Sequence, residues 1–257
     1  MGISLDKLQT KAPELVSLAK NANATLQNKG LAGHRAKAAL VLDYSGSMRY
    51  EYAERDGNPS NMQQLAERAL AFATQIDDDG AIDIFLFETE AYHIGELTLD
   101  NFRNGGLQKL IGKRHMGTTN YAGAFDAVRN HFFGTTKKSL FGGSKSTAPE
   151  NAPLSTPAEL PVHATFLTDG SPDNKSAAVR AITQASFSPI FWQFLSIGKE
   201  SMPFLEKLDD LDTRYIDNAD YKPVGDVSAL TSSELYNIML DEYPGWVAEE
   251  RKRGQIR

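Results

Sequence analysis

The spacing of apolar residues changes along the chain, and each change marks an element. Leu5, Leu8, Leu15, Leu18 and Ala19 fall at roughly helical intervals around Pro13, which predicts one or two helical pieces packed outside the main body as an arm. Gly30-Leu31-Ala32-Gly33 marks a boundary, giving an arm over 1–33 and a main domain over 34–257. The run Ala39-Leu40-Val41-Leu42 reads as a buried strand and ends in Asp43-Tyr44-Ser45-Gly46-Ser47. Ser60-Asn61-Met62-Gln63 has the form of an N-terminal capping box. The stripe Met62, Leu65, Ala66, Ala69, Leu70, Ala73 and Ile76 then predicts a helix of about four turns. Ala81 to Phe87 is a second core strand, followed by an edge strand near Tyr92 to Ile94.

Helical spacing returns at Tyr121, Ala124, Phe125, Val128 and Phe132, which puts the turn Gly117-Thr118-Thr119-Asn120 at a helix N-terminus. Residues 134–161 differ in kind: Gly, Ser, Thr, Lys and Pro dominate, apolar anchors are few, and the segment is long for a connection, so a flexible insertion is expected. Beyond it come a strand at His163 to Leu167, a helix at Lys175 to Ser186, a strand at Ile190 to Ile197 and a short helix at Met202 to Leu208. A last strand near Arg214 to Ile216 and a closing helix from Ser232 to Tyr243 complete the series, before Pro244-Gly245-Trp246. Strands alternating with helices predict a doubly wound α/β fold, with a mainly parallel six-stranded sheet covered on both faces. Such sheets bind ligands at the carboxyl ends of their strands, where the strand order reverses. Asp43 and Asp169 sit at such ends.

Composition narrows the chemistry. Across 257 residues, 41% are apolar, enough for a sizeable core, and the absence of cysteine removes disulfides, thiolate metal sites and cysteine nucleophiles. That suits a reducing compartment and disfavours zinc. The N-terminus lacks the basic and apolar regions of a signal peptide, and no apolar run is long enough to span a membrane. A net charge of -6 argues against general nucleic-acid binding. The basic tail Arg251-Lys252-Arg253 and Arg257 reads as a solvated face, and Asp77-Asp78-Asp79 as a solvated loop without the ligand spacing of a calcium loop. The five histidines, His34, His93, His115, His131 and His163, share no ligand spacing, and His115 is expected to be exposed or hydrogen-bonded rather than catalytic.

Asp43, Ser45 and Ser47, with the Thr118-Thr119 turn and Thr168-Asp169-Gly170, offer two carboxylates and several hydroxyls on three loops. Hard oxygen donors of this sort suit a magnesium-sized cation better than imidazole would. Two carboxylates neutralise one divalent ion. If hydroxyls hold it directly while the aspartates act through water, it stays electrophilic towards an outside carboxylate.

Asp43-x-Ser45-x-Ser47, a threonine in a Gly-x-Thr turn, and Thr168-Asp169-Gly170 after a strand resemble the metal-ion-dependent adhesion site of von Willebrand factor type A domains. The likeness runs from about Lys37 to Tyr243. Within that family the chain is most similar to the cytoplasmic bacterial proteins associated with tellurium resistance and toxic-anion stress, whose domain is also similar to that of the copines. The resemblance implies direct ligation by Ser45 and Ser47, direct ligation by Thr119 in one conformational state, and water-mediated ligation by Asp43 and Asp169. It implies magnesium first, with manganese or calcium as alternatives. It also implies a protein partner that supplies an Asp or Glu carboxylate, a cytoplasmic setting and no enzymatic activity. Thr118 stands where relatives often have glycine, so the choice between Thr118 and Thr119 is open. Asp173 either supports the site or caps the following helix.

Two other readings remain. A phosphohydrolase of the haloacid dehalogenase type also places an Asp after an apolar strand, but it needs a second carboxylate two residues later, where this chain has Ser45. A purely structural metal site would stabilise the loops and bind no partner through the ion. Tyr44 and Arg49, beside the first motif, are candidates to recognise an acidic partner or to serve in packing.

Overall fold

The computed structural model describes residues 2–138, 144–147, 151–198 and 201–257. Parts of the expected flexible insertion, residues 139–143 and 148–150, lie outside these described residues. In chain order the elements are α1 (Leu5–Lys11), α2 (Val16–Asn28), β1 (Lys37–Asp43), α3 (Asn61–Ile76), β2 (Ala81–Phe87), β3 (Ala91–Thr98), α4 (Gly106–Ile111) and α5 (Tyr121–Phe133). There follow β4 (Thr135–Lys138), β5 (Ser144–Thr147), β6 (Val162–Thr168), α6 (Lys175–Ala185), β7 (Ile190–Ile197), α7 (Pro203–Asp209), β8 (Ala219–Gly225), α8 (Ser232–Met239) and α9 (Tyr243–Lys252).

Six strands form the main sheet in the order β3-β2-β1-β6-β7-β8, and all pairs are parallel except β2 with β3. The doubly wound expectation is met, and the order reverses between β1 and β6. Side chains alternate across the pleat. Leu40, Leu42, Ile84 and Leu86 face one hydrophobic cluster with α2, α3 and α8. Val41, Phe85, Phe87, Ala164 and Phe166 face a second cluster with α5, α6 and α7. Along β1, burial is continuous after Lys37, which is why the sequence shows an unbroken apolar run there.

The N-terminal helices lie on the first cluster. Leu8, Leu15, Ala19, Ala22 and Leu26 are buried within it, and the Ile3 amide donates to the Thr74 carbonyl at 2.7 Å. Truncating Leu8 or Leu15 to alanine would cost about 2–5 kcal/mol, as for any core leucine. This arm is integral to one face of the fold.

Three expectations need correction. The last strand is Ala219–Gly225, not Arg214 to Ile216. Ile216 is buried from a loop, whereas the strand itself carries Asp220, Lys222 and Pro223, which an edge strand tolerates and which disguise it in sequence. The closing helix stops at Met239, and a further helix, α9, begins at Tyr243 with Pro244 in its first turn. Proline there starts a helix, because the first-turn amides have no intrahelical partner. The edge strand at Tyr92 is also longer than expected, Ala91–Thr98. Within the polar segment, β4 and β5 pair antiparallel, and Ala158 is bonded into the C-terminus through Gln255 and Arg257.

Candidate functional site

The reversal point between β1 and β6 is where Asp43, Ser45, Ser47 and Asp169 meet, while Thr119 stands on the adjoining turn. Asp43 ends β1 fully buried. Its Oδ1 accepts from the Ser45 amide at 2.8 Å and its Oδ2 from Thr168 Oγ1 at 2.6 Å, so both carboxylate oxygens are held. Its carbonyl accepts from Tyr52 Oη at 2.8 Å. The chain then turns through a short 3-10 segment, Gly46–Tyr50, which sets Ser45 and Ser47 side by side with their Oγ atoms 3.1 Å apart. Ser47 Oγ donates to Asp169 Oδ1 at 2.8 Å. Ser45 is buried, Ser47 is exposed and Asp169 is half-buried, so this row of oxygens runs from the interior to the surface.

The third loop is sewn to the first by backbone bonds. The Gly117 amide donates to the Tyr44 carbonyl at 3.3 Å, and the Gly46 amide to the Gly117 carbonyl at 3.1 Å. Position 117 favours glycine because an added Cβ would lie 2.1 Å from Glu88 Oε2 and 2.5 Å from Thr89 Oγ1, so those side chains would have to shift. Two residues on, the Thr119 amide donates to Asp173 Oδ2 at 3.0 Å, and the Asp173 amide returns a bond to the Thr119 carbonyl, also at 3.0 Å. Thr118 instead turns to Thr89, whose Oγ1 accepts its amide at 3.3 Å. Asp173 therefore anchors the threonine turn, and the cap of α6 is Asn174, which accepts from the Ala177 amide.

Burial pushes the Asp43 carboxyl up to about 6, hydrogen bonds from Thr168 and Ser45 oppose that rise, and the charge of Asp169 adds to it. Two carboxylates facing one row of hydroxyls repel each other unless a cation lies between them. Burial also pushes the Tyr52 phenol well up, so it stays a neutral donor to the Asp43 carbonyl.

Several supporting residues had no distinct sequence signal. Tyr52 and Tyr121 look like core aromatics, yet the Tyr121 hydroxyl reaches Thr168 Oγ1 and the Gly170 carbonyl. Thr168 was visible only as part of a motif, and its bond to Asp43 is long-range. Tyr44 is a packing residue: it is buried, stacks edge-on against Tyr52 and bonds the Arg114 carbonyl. His115 is exposed, as expected. Beside the site, a cleft of about 400 Å³ is lined by Ser47, Tyr50, Glu51, Arg55, Asn61, Asp169 and Asp226, among others. Tyr50 is 62% exposed, and the Arg49 guanidinium lies 5.3 Å from its ring centre.

A family model described as vWA-TerF-like, a vWA found in the TerF C terminus, matches residues 35–141 and 150–256. The uncharacterized protein YcbR of Bacillus subtilis (strain 168) is 29% identical over 238 residues, spanning 93% of this chain and 88% of its own. Among solved structures, proximal thread matrix protein 1 from the mussel byssus superimposes with a TM-score of 0.54 at 14% identity, covering 82% of this chain and 48% of that one. A second structure of that mussel protein, with a zinc-occupied MIDAS motif, gives a TM-score of 0.53 at 14% identity and the same coverage. The chain spans about half the length of that protein, and likeness at this identity shows the fold. Among the described residues no helix is long and apolar enough to cross a membrane.

Proposed function

The chain belongs to the vWA-TerF-like family, and from that premise we propose that it is a divalent-metal-binding interaction module whose strand-end site engages a carboxylate on a protein partner. The row Ser45 Oγ, Ser47 Oγ and Asp169 Oδ1, with steps of 3.1 and 2.8 Å, carries this reading. An octahedral ion with bonds of about 2.0–2.1 Å has neighbouring ligand oxygens about 3 Å apart, so the two serine hydroxyls, 3.1 Å apart, fit without large movement, and the bond from Ser47 keeps Asp169 beside them. Ser45 and Ser47 hold the ion directly, Asp43 and Asp169 act through water, and Thr119 joins in one conformational state. Thr119 is preferred over Thr118 because the Thr118 amide and hydroxyl are engaged with Thr89.

The all-oxygen donor set favours magnesium, with manganese or calcium as alternatives, even though the mussel protein carries zinc at its motif. When bound, the ion supplies one electrophilic position on the exposed side of Ser47. Exposed Tyr50 and the nearby Arg49 and Arg55 offer an aromatic and cationic rim to an acidic partner. Ser45 gives the site a hydroxyl where a phosphohydrolase needs a carboxylate, so the reading is binding rather than catalysis. We place this module in the cytoplasm and in tellurium resistance or toxic-anion stress, a reading that the family likeness supports.

Selection from a displayed random-peptide library, with magnesium or with a chelator, tests this reading. Peptides rich in Asp or Glu should be retained only with magnesium and only by the wild type, not by Asp43→Ala. Retention that survives chelation would mean the cleft binds without the ion.

A further inference from the structure

We propose that Asp83, His93 and His131 form a second, separate metal site, a three-ligand site for a zinc-type divalent cation on the α5 face of β2 and β3. Asp83 Oδ1 lies 2.7 Å from His93 Nε2 and 3.1 Å from His131 Nε2. The three donor atoms all fall within 4.8 Å of one another. The two imidazoles are 4.1 Å apart between ring centres, inclined by 36°. Two imidazole nitrogens and one carboxylate oxygen, with a remaining position open to water, are a common donor set for zinc. A tetrahedral ion with bonds of about 2.0–2.1 Å needs ligand atoms about 3.3 Å apart, so the two edges from Asp83 Oδ1, at 2.7 and 3.1 Å, both have to lengthen, the longer one only slightly. The histidine side chains, 31% and 33% exposed, have room to make that adjustment, while Asp83, 12% exposed, is fixed on its strand.

Local structure has to be irregular to build this triangle. Asp83 and Phe85 face α5. With regular antiparallel pairing from Gly95 opposite Ile84, His93 would sit opposite Leu86 and point to the other face of the sheet. The register instead slips between Ile84 and Phe85, Ile94 is left as the extra residue, and His93 pairs with Phe85. Gly95 adopts φ +121°, a backbone state that suits glycine at such a bulge. From the third side, His131 continues the buried stripe of α5 that includes Ala124 and Val128, at positions i, i+4 and i+7. The ring of Phe85 backs both imidazoles, with centroids 5.0 and 5.4 Å away, so one side of the site is apolar and the other faces water. Asp83 is four residues upstream of Phe87, the partner of Asp43, which separates this site from the oxygen-lined one.

The test is calorimetric titration with zinc in saturating magnesium, which occupies the strand-end site and competes poorly for imidazole, followed by cobalt titration read by visible absorption. One equivalent of zinc should bind, and cobalt should give the intense visible bands of a four- or five-coordinate site. His93→Gln and His131→Gln should each weaken zinc binding at least about 100-fold, more than loss of an outer-sphere partner costs. His131 lies at the exposed end of a helix, so its variant is decisive even if the strand variant misfolds. Absence of zinc binding to the wild type, or unchanged binding in a folded His131→Gln protein, would overturn the proposal.

Discussion

Thr168 Oγ1 donates to Asp43 Oδ2 at 2.6 Å, crossing from the end of β6 to the end of β1 at the point where the strand order reverses. The acceptor is a fully buried carboxylate, so the bond offsets part of its desolvation. Thr168→Val keeps the shape and removes the hydroxyl. A hydrogen bond to a charged group contributes about 1.5–3 kcal/mol, and the variant should lose about that much in urea unfolding of the metal-free protein. Its magnesium affinity should fall as well.

Gly117→Ala should separate loop geometry from global stability. The added methyl meets Glu88 Oε2 and Thr89 Oγ1, and it also approaches the Thr89 backbone amide at 3.1 Å, which cannot swing aside. We expect a stability loss of about 1–3 kcal/mol, typical of overpacking, with a larger proportional loss of magnesium affinity because the turn carrying Thr119 is displaced. Thermal melting beside calorimetry reads both; unchanged magnesium affinity would mean that the turn does not contribute to the site.

The two threonines should behave differently. Thr118→Ala removes a hydroxyl bonded to Thr89 and should leave peptide binding in magnesium within about twofold, a surface effect of under about 0.5 kcal/mol. Thr119→Ala should weaken it by about tenfold or more, the scale of one good hydrogen-bond or ligand contact. Equal effects would contradict the assignment of Thr119.

Buried His163 predicts a pH dependence. Its Nε2 donates to the Met239 carbonyl at 2.7 Å, and burial lowers its pKa from 6.5 to about 4. The unfolded chain therefore takes up this proton at higher pH than the folded one. The contribution to stability is fully present above pH 6.5 and is lost as pH falls towards 4, amounting to about 3 kcal/mol. Burial likewise lowers His34 to about 4, with the same sign. Asp209 and Glu250, pushed up to about 7 by burial, act in the opposite sense, since their folded forms gain protons first as pH falls. The His163 contribution should thus be read as the stability of wild type minus that of His163→Gln, across this window in chelator. That difference should shrink steadily as pH falls; a constant difference would mean that the histidine takes up its proton in the fold at the same pH as in the unfolded chain.

Sequence patterns foretold the parts of this structure that are local or periodic. The apolar run of β1, the stripe of α3 and the capping residue Ser60, which accepts from the Gln63 amide at 3.1 Å, were all legible. So was the approach of the loops carrying Asp43, Ser45 and Ser47 to the loop carrying Asp169, because each follows a recognisable strand. Other features depend on tertiary context. β8 was hidden by Asp220, Lys222 and Pro223, whose polarity resembles a loop until the neighbouring β7 supplies its pairing. α9 was hidden because Pro244 ends one helix and begins the next equally well. The cluster of Asp83, His93 and His131 left no spacing signature at all. It arises from a one-residue slip in β3 and from the docking of α5, neither of which an interval between residues can express.

On the proposed function, Asp43, Ser45, Ser47, Thr119 and Asp169 hold a divalent ion. Calorimetric titration of metal-free protein with magnesium, which imidazole sites bind poorly, tests it most directly, with Asp43→Ala and Ser45→Ala alongside and their folding checked by circular dichroism. One equivalent should bind to the wild type, and binding should be lost in both variants. A folded wild type that binds no magnesium, or folded variants that bind it as well as the wild type does, would contradict the claim.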